Sequence, residues 1–206
     1  APPALVHVCG VSWKHDDFNR IQDLAVPDDQ NVRRPGLLVM FDGPIQIPGS
    51  YTRLLTMAVQ IPQTAPPTVG GGAYFWVDLP GSLSLVALTA STDPATGVCT
   101  NLQVVPPAAP TGPFNGLRWI RANVDEPWGN QGGLRVLVQG DFIIGTATNP
   151  DGTKAPPLPV DGNHLAPFLS GGRISGDGTA GGLFQSWLLV GRSKAAAAAK
   201  FMGGAQ

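Results

Sequence analysis

The sequence predicts an all-β fold, an antiparallel β-sandwich whose strands are joined by long Pro/Gly-rich loops. Three observations carry this expectation. Glycine (27) and proline (21) are far above ordinary usage, yet hydrophobic residues still make up 43% of the 206 residues. That balance suits turn chemistry between packed strands better than disorder. Apolar residues recur with a period of two in several stretches, and almost nothing carries a helical period.

The first strand is expected in VHVCGVSW (6–13), where alternation puts Cys9, Val11 and Trp13 on one face. DDFNRIQDLA (16–25) reads as a turn or two of helix with Asp16 or Asp17 as N-cap. LLVMF (37–41) is short and β-rich, and YTRLLTMAVQI (51–61) alternates through Tyr51, Leu55, Met57, Val59 and Ile61. AYFWVDL (73–79), SLSLVAL (82–88), NLQVV (101–105) and GLRWIRA (116–122) follow, each bounded by Gly, Pro, Asn or Asp. GLRVLVQGDFII (133–144) alternates through Leu134, Val136, Val138, Phe142 and Ile144, and GLFQSWLLV (182–190) closes the series. About nine strands at this spacing point to a sandwich.

QTAPPTVGGGA (63–73) and VVPPAAPTGPFNG (104–116) are connectors. The segments they separate are too short to hold separate cores, so residues 1–192 read as one domain and 193–206 as an Ala/Gly-rich tail. SKAAAAAKFM (193–202) has high helix propensity with Ser193 as a cap, but an isolated ten-residue helix is marginal in water.

APPALVHVCGVSW, LLVMFDGPIQI, LRVLVQGDFIIGTATNPDGTKAPPLPVDGNHL and GGLFQSWLLV occur in that order. As an ordered set they resemble the bacterial Ig-like domains of secreted and surface-layer proteins. Those domains open with a strand from a proline-rich lead and continue with a strand ending in Phe, Asp or Ser, any residue, Pro, and Ile or Val. A strand carrying Gly-Asp-x and then Ile or Leu, an Asp-Gly hairpin and an aromatic closing strand complete the pattern. The likeness covers about half the chain, which is nearly twice the usual length of about a hundred residues and adds strands or loops between 62 and 116. It implies an Ig-like sandwich in an extracellular or cell-surface protein.

Only 13% of residues are charged and the net charge is −1. The electrostatic footprint of a nucleic-acid or anionic-membrane binder is therefore missing. No apolar run approaches the ~20 residues that span a bilayer, so membrane insertion is not expected. Ala1 does not open a basic-then-apolar signal sequence, so an exported protein is expected here in its mature form. Cys9 and Cys99 are the only cysteines. A disulfide between them and two free buried thiols both remain open.

NPDGTKAPPLPVDGNH (149–164) gathers two Asp-Gly pairs, four prolines and His164. The Asp-Gly pairs suit tight turns, and Pro156, Pro157 and Pro159 suit an extended edge. The rival is a calcium site built from Asp151, Asp161, Asn163 and Asp177, since Asx-rich loops at the end of a sandwich can converge to supply oxygen ligands. None of these loops repeats the alternating acidic spacing of a dedicated calcium loop. No other cofactor is expected.

An enzyme is not expected. His7 lies in a strand, and His15 precedes Asp16 and Asp17, whose side chains alternate across an extended chain. The chain carries no Gly-x-Ser-x-Gly elbow, His-Glu-x-x-His motif or phosphate-binding glycine loop. Among the aromatics, Trp13, Trp119 and Trp187 are expected in the core, and Trp128 in DEPWGNQGG is the exposed candidate, with Asp125, Glu126 and Asn130 as polar partners. The expected function is a non-enzymatic extracellular structural subunit that assembles with copies of itself or related chains into a surface layer, fibre or sheath. The Trp128 loop and the termini, including Phe201 and Met202 in the tail, would make the contacts. The alternative is a monomeric carbohydrate-binding or adhesion module, calcium-stabilised at its Asp-Gly loops.

Overall fold

The computed structural model describes residues 2–15, 17–49, 54–62, 74–106, 112–122, 133–163, 175–191 and 193. Their regular structure is β apart from two three-residue 3-10 turns. The strands are β1 (Val8–Val11), β2 (Phe18–Arg20), β3 (Ala25–Pro27), β4 (Arg33–Gln46), β5 (Leu55–Pro62), β6 (Tyr74–Asp78) and β7 (Gly81–Val86), then β8 (Leu88–Thr92), β9 (Cys99–Val104), β10 (Phe114–Arg121), β11 (Gly133–Gln139), β12 (Ile144–Gly145), β13 (Leu158–Pro159) and β14 (Leu183–Gly191). One sheet runs β13-β12-β4-β10-β7, with β1 and β3 also paired to β4; a second runs β2-β14-β11-β5-β6; among the described residues β8 and β9 pair only with each other. The pairings are antiparallel except for β2 with β14.

The long strand β4 explains the layering. Leu37, Val39 and Phe41 enter one cluster, whereas Leu38 and Met40 enter another on the opposite face. A strand buried on both sides reads as a continuous apolar run, which is what LLVMF is. The first cluster joins the two sheets: Phe41 and Trp119 share it with Val136, Val138, Phe184 and Leu188. Burying a side chain of this size contributes about 1.5–3 kcal/mol. The second cluster, Cys9, Val26, Leu38, Met40, Val86, Leu88 and Cys99, lies beneath the β8–β9 hairpin, which covers the outer face of the first sheet.

Glycines permit the close approach of that hairpin. A Cβ on Gly116 would collide with the Leu88 side chain, and one on Gly10 would collide with the Cys99 carbonyl oxygen.

Several expectations change. The helical turn at 16–25 shrinks to Ile21–Asp23, and Arg20 occupies its N-cap position without a side-chain bond. Pairing of β2 with β14 and of β3 with β4 takes the flanking residues, because ladders add hydrogen bonds that one isolated helical turn does not. Cys9 does not share a face with Trp13, since Trp13 joins the inter-sheet core and Cys9 the hairpin cluster. A register shift between Val8 and Gly10 is the cause. The strand expected through residue 144 stops at Gln139, where Gly140–Phe142 forms a 3-10 turn that leaves Phe142 exposed and buries Ile143. SLSLVAL divides at Ala87 between β7 and β8. The connector at 63–73, Tyr51 and the tail beyond Ser193 lie outside the described residues, as does part of the connector at 104–116.

Candidate functional site

Two carboxylates and a histidine meet where the N-terminal segment passes the loops after β13. The backbone N–H of His7 donates to Asp42 Oδ1 at 2.7 Å, and His7 Nδ1 lies 2.9 Å from Asp42 Oδ2. On its other side, His7 Nε2 is 3.9 Å from Asp161 Oδ2. The hydrogen bond to Asp42 holds the His7 pKa above its usual value against the opposing effect of burial, and the charges of Asp42 and Asp161 add to the rise.

Asp161 is fully buried. Its Oδ2 accepts from the backbone N–H groups of Asp177 and Gly178 at 3.1 and 2.7 Å, and its own carbonyl accepts the Ser175 hydroxyl at 2.7 Å. Ser175 Oγ accepts in turn from the Val8 N–H. A buried carboxylate met by backbone donors is an organising centre for a loop.

The four calcium candidates divide. Asp161, Asn163 and Asp177 come together, with Asn163 Nδ2 donating to Asp177 Oδ2 at 3.2 Å. Asp151 closes its own turn, accepting from the Thr153 backbone and hydroxyl, with Gly152 at a φ of +83°. Hydrogen bonds from Thr153 lower the Asp151 pKa, and bonds from Asn163 and Thr179 lower that of Asp177. Among the described residues no group of three or more His, Cys, Asp or Glu side chains is arranged to hold a metal ion. The opening of NPDGTKAPPLPVDGNH is thus a tight turn, its middle is edge strand β13, and Asp161 anchors the segment that follows.

A serine and a histidine also meet: Ser186 Oγ is 2.8 Å from His15 Nδ1 and accepts from Trp13 Nε1 at 2.8 Å. Ser186 is fully buried on the inward face of β14. The arrangement satisfies the Trp13 indole N–H in the core, and the hydroxyl has no open approach for a substrate. An open groove of about 1280 Å³ runs between the β8–β9 hairpin and the segment from β1 to β3. Lys14, Arg20, Arg33 and Asp23 line it, as does Ser193, from which the tail continues.

The other sheet exposes an aromatic residue that alternation had assigned to the core. Phe184, Ser186, Leu188 and Val190 point inward along β14, so Trp187 faces out and is 40% exposed. Trp13 and Trp119 are buried as expected. The Arg135 guanidinium, on the paired position of β11, sits 5.9 Å from the Trp187 ring centroid. Leu183, two turns of the pleat away on the same side, is also exposed. A single-sequence reading could have found Trp187 by counting the alternation of β14 from Phe184.

Trp128, Asp125, Glu126, Asn130, Phe201, Met202 and His164 lie outside the described residues. Cys9 and Cys99 are both buried and carry free thiols. Among the described residues no helix is long and apolar enough to cross a membrane. No family model, curated protein or solved structure matches the chain.

Proposed function

We propose that the protein is a non-enzymatic extracellular structural subunit, an enlarged Ig-like sandwich that assembles with copies of itself or related chains into a surface layer, fibre or sheath. One observation carries the reading. The first sheet covers its outer face with its own hairpin, while among the described residues the outer face of the second leaves Trp187 40% and Leu183 37% exposed. Exposed large apolar residues grouped on one face suit a protein partner, and a second copy is the occupant this reading names. The net charge of −1 puts little long-range repulsion between copies. Two sheets sharing one core support the Ig-like reading, and the extracellular location rests on that resemblance.

Light scattering across a dilution series tests it. The expected result is a particle mass many times 21.4 kDa that persists on dilution and falls to the monomer in Trp187→Glu. A monomer at every concentration would overturn self-assembly.

The second reading, a monomeric carbohydrate-binding or adhesion module, is favoured by the same ring, because indole faces stack on sugars and Gln185 stands beside Trp187 on the strand. It requires a ligand-induced fluorescence change that Trp187→Ala abolishes without altering particle mass. A fall in melting temperature with a chelator would add calcium to this reading. Nucleic acid and membrane insertion have no part in either.

A further inference from the structure

We infer that Cys9 and Cys99 are a disulfide-forming pair, an oxidation site that fastens the β8–β9 hairpin to the first sheet. The two residues come from different layers. Cys9 belongs to β1, which is paired to β4, whereas Cys99 opens β9, which pairs with β8. They meet in one buried cluster, with Cys9 fully enclosed and Cys99 nearly so. Three features bring them together. The register shift between Val8 and Gly10 turns Cys9 off the inter-sheet face. Gly10 lets the backbones approach, its ideal Cβ position lying 3.0 Å from the Cys99 Cβ. Hydrogen bonds hold the Cys99 thiol in place, with Thr92 Oγ1 3.5 Å from Cys99 Sγ and Sγ donating to the Gly97 carbonyl at 3.7 Å.

The surroundings give the two sulfurs different roles. Cys99, with Thr92, Gly97 and Met40, lines an open hollow of about 510 Å³, and Cys9 does not. A small disulfide such as oxidised glutathione therefore meets Cys99 first. The Cys99 thiolate attacks one glutathione sulfur, forming a mixed disulfide and releasing one glutathione thiolate. The Cys9 thiolate then attacks the Cys99 sulfur and expels the second glutathione thiolate. Two protein thiols lose two electrons and two protons; the glutathione disulfide takes up the electrons and leaves as two thiols. Burial raises the Cys9 thiol pKa strongly, so the second step quickens as pH rises. The link closes a loop of roughly 90 residues, which removes freedom chiefly from the unfolded chain.

The test treats the folded chain with oxidised glutathione, quenches in acid, unfolds, alkylates with N-ethylmaleimide and measures intact mass and a non-reducing peptide map. The expected product has lost two hydrogens, takes no alkyl or glutathionyl group, and yields one linked peptide pair holding Cys9 and Cys99. Its thermal midpoint lies above that of the reduced chain. Cys9→Ala should stop at one glutathionyl group on Cys99, and Cys99→Ala should leave Cys9 unmodified. Two alkylated thiols after oxidation, a stable adduct on wild-type protein, or an oxidised form that melts below the reduced one would each overturn the inference. None of these outcomes depends on particle mass, so the result stands apart from that of the assembly experiment.

Discussion

His7 bridges two carboxylates from separate parts of the chain, with Nδ1 2.9 Å from Asp42 Oδ2 and Nε2 3.9 Å from Asp161 Oδ2. Since the hydrogen bond to Asp42 raises the pKa of the ring above 6.5, the native state holds a proton that the unfolded chain releases earlier. The stability it contributes is fully present below the unfolded value and is lost as pH rises through the folded one. Urea midpoints should therefore decline above about pH 6.5, and His7→Asn should flatten that part of the curve. Equal slopes in the two proteins would refute the coupling.

Asp161 is buried and receives two backbone N–H groups, whereas Asp151 serves an exposed turn. Asp161→Ala strands those donors and should cost about 2–4 kcal/mol. Asp151→Ala should cost about 1 kcal/mol or less. Denaturant midpoints measure both, and similar losses would remove Asp161 from its organising role.

The tryptophans should separate in the same way. Trp119 is 2% exposed in the inter-sheet core and Trp187 is 40% exposed on the outer face. Trp119→Ala should cost about 3–5 kcal/mol. Trp187→Ala should cost about 1 kcal/mol or less and should alter particle mass instead. A large stability loss in Trp187→Ala with unchanged mass would make that residue a packing element.

Gly10→Ala should loosen the hairpin, because the added methyl collides with the Cys99 carbonyl. The expected cost is about 1–3 kcal/mol, with faster amide exchange concentrated in β8 and β9. Uniform exchange across both sheets would show that the hairpin does not open as a unit.

The all-β class, and the existence of most longer strands, were legible in the sequence because alternation and turn residues are local properties. LLVMF was legible as a short β-rich strand, though not its burial on both faces, and NPDGT announced its turn through Asp and Gly. What each face of a strand meets is not local. The register shift at Cys9 and the 3-10 turn at Gly140–Phe142 each change the pattern locally, whereas Trp187 faces outward in unbroken alternation with Phe184 and Ser186. With a period of two, a one-residue shift exchanges inside for outside. The meeting of His7 with Asp42 and Asp161, and of Cys9 with Cys99, depends on pairings between distant strands. Composition and spacing by themselves determined a strand-and-turn protein of near-zero charge. Only the tertiary structure decided which side chains share a buried space, because that is set by which sheet covers which face.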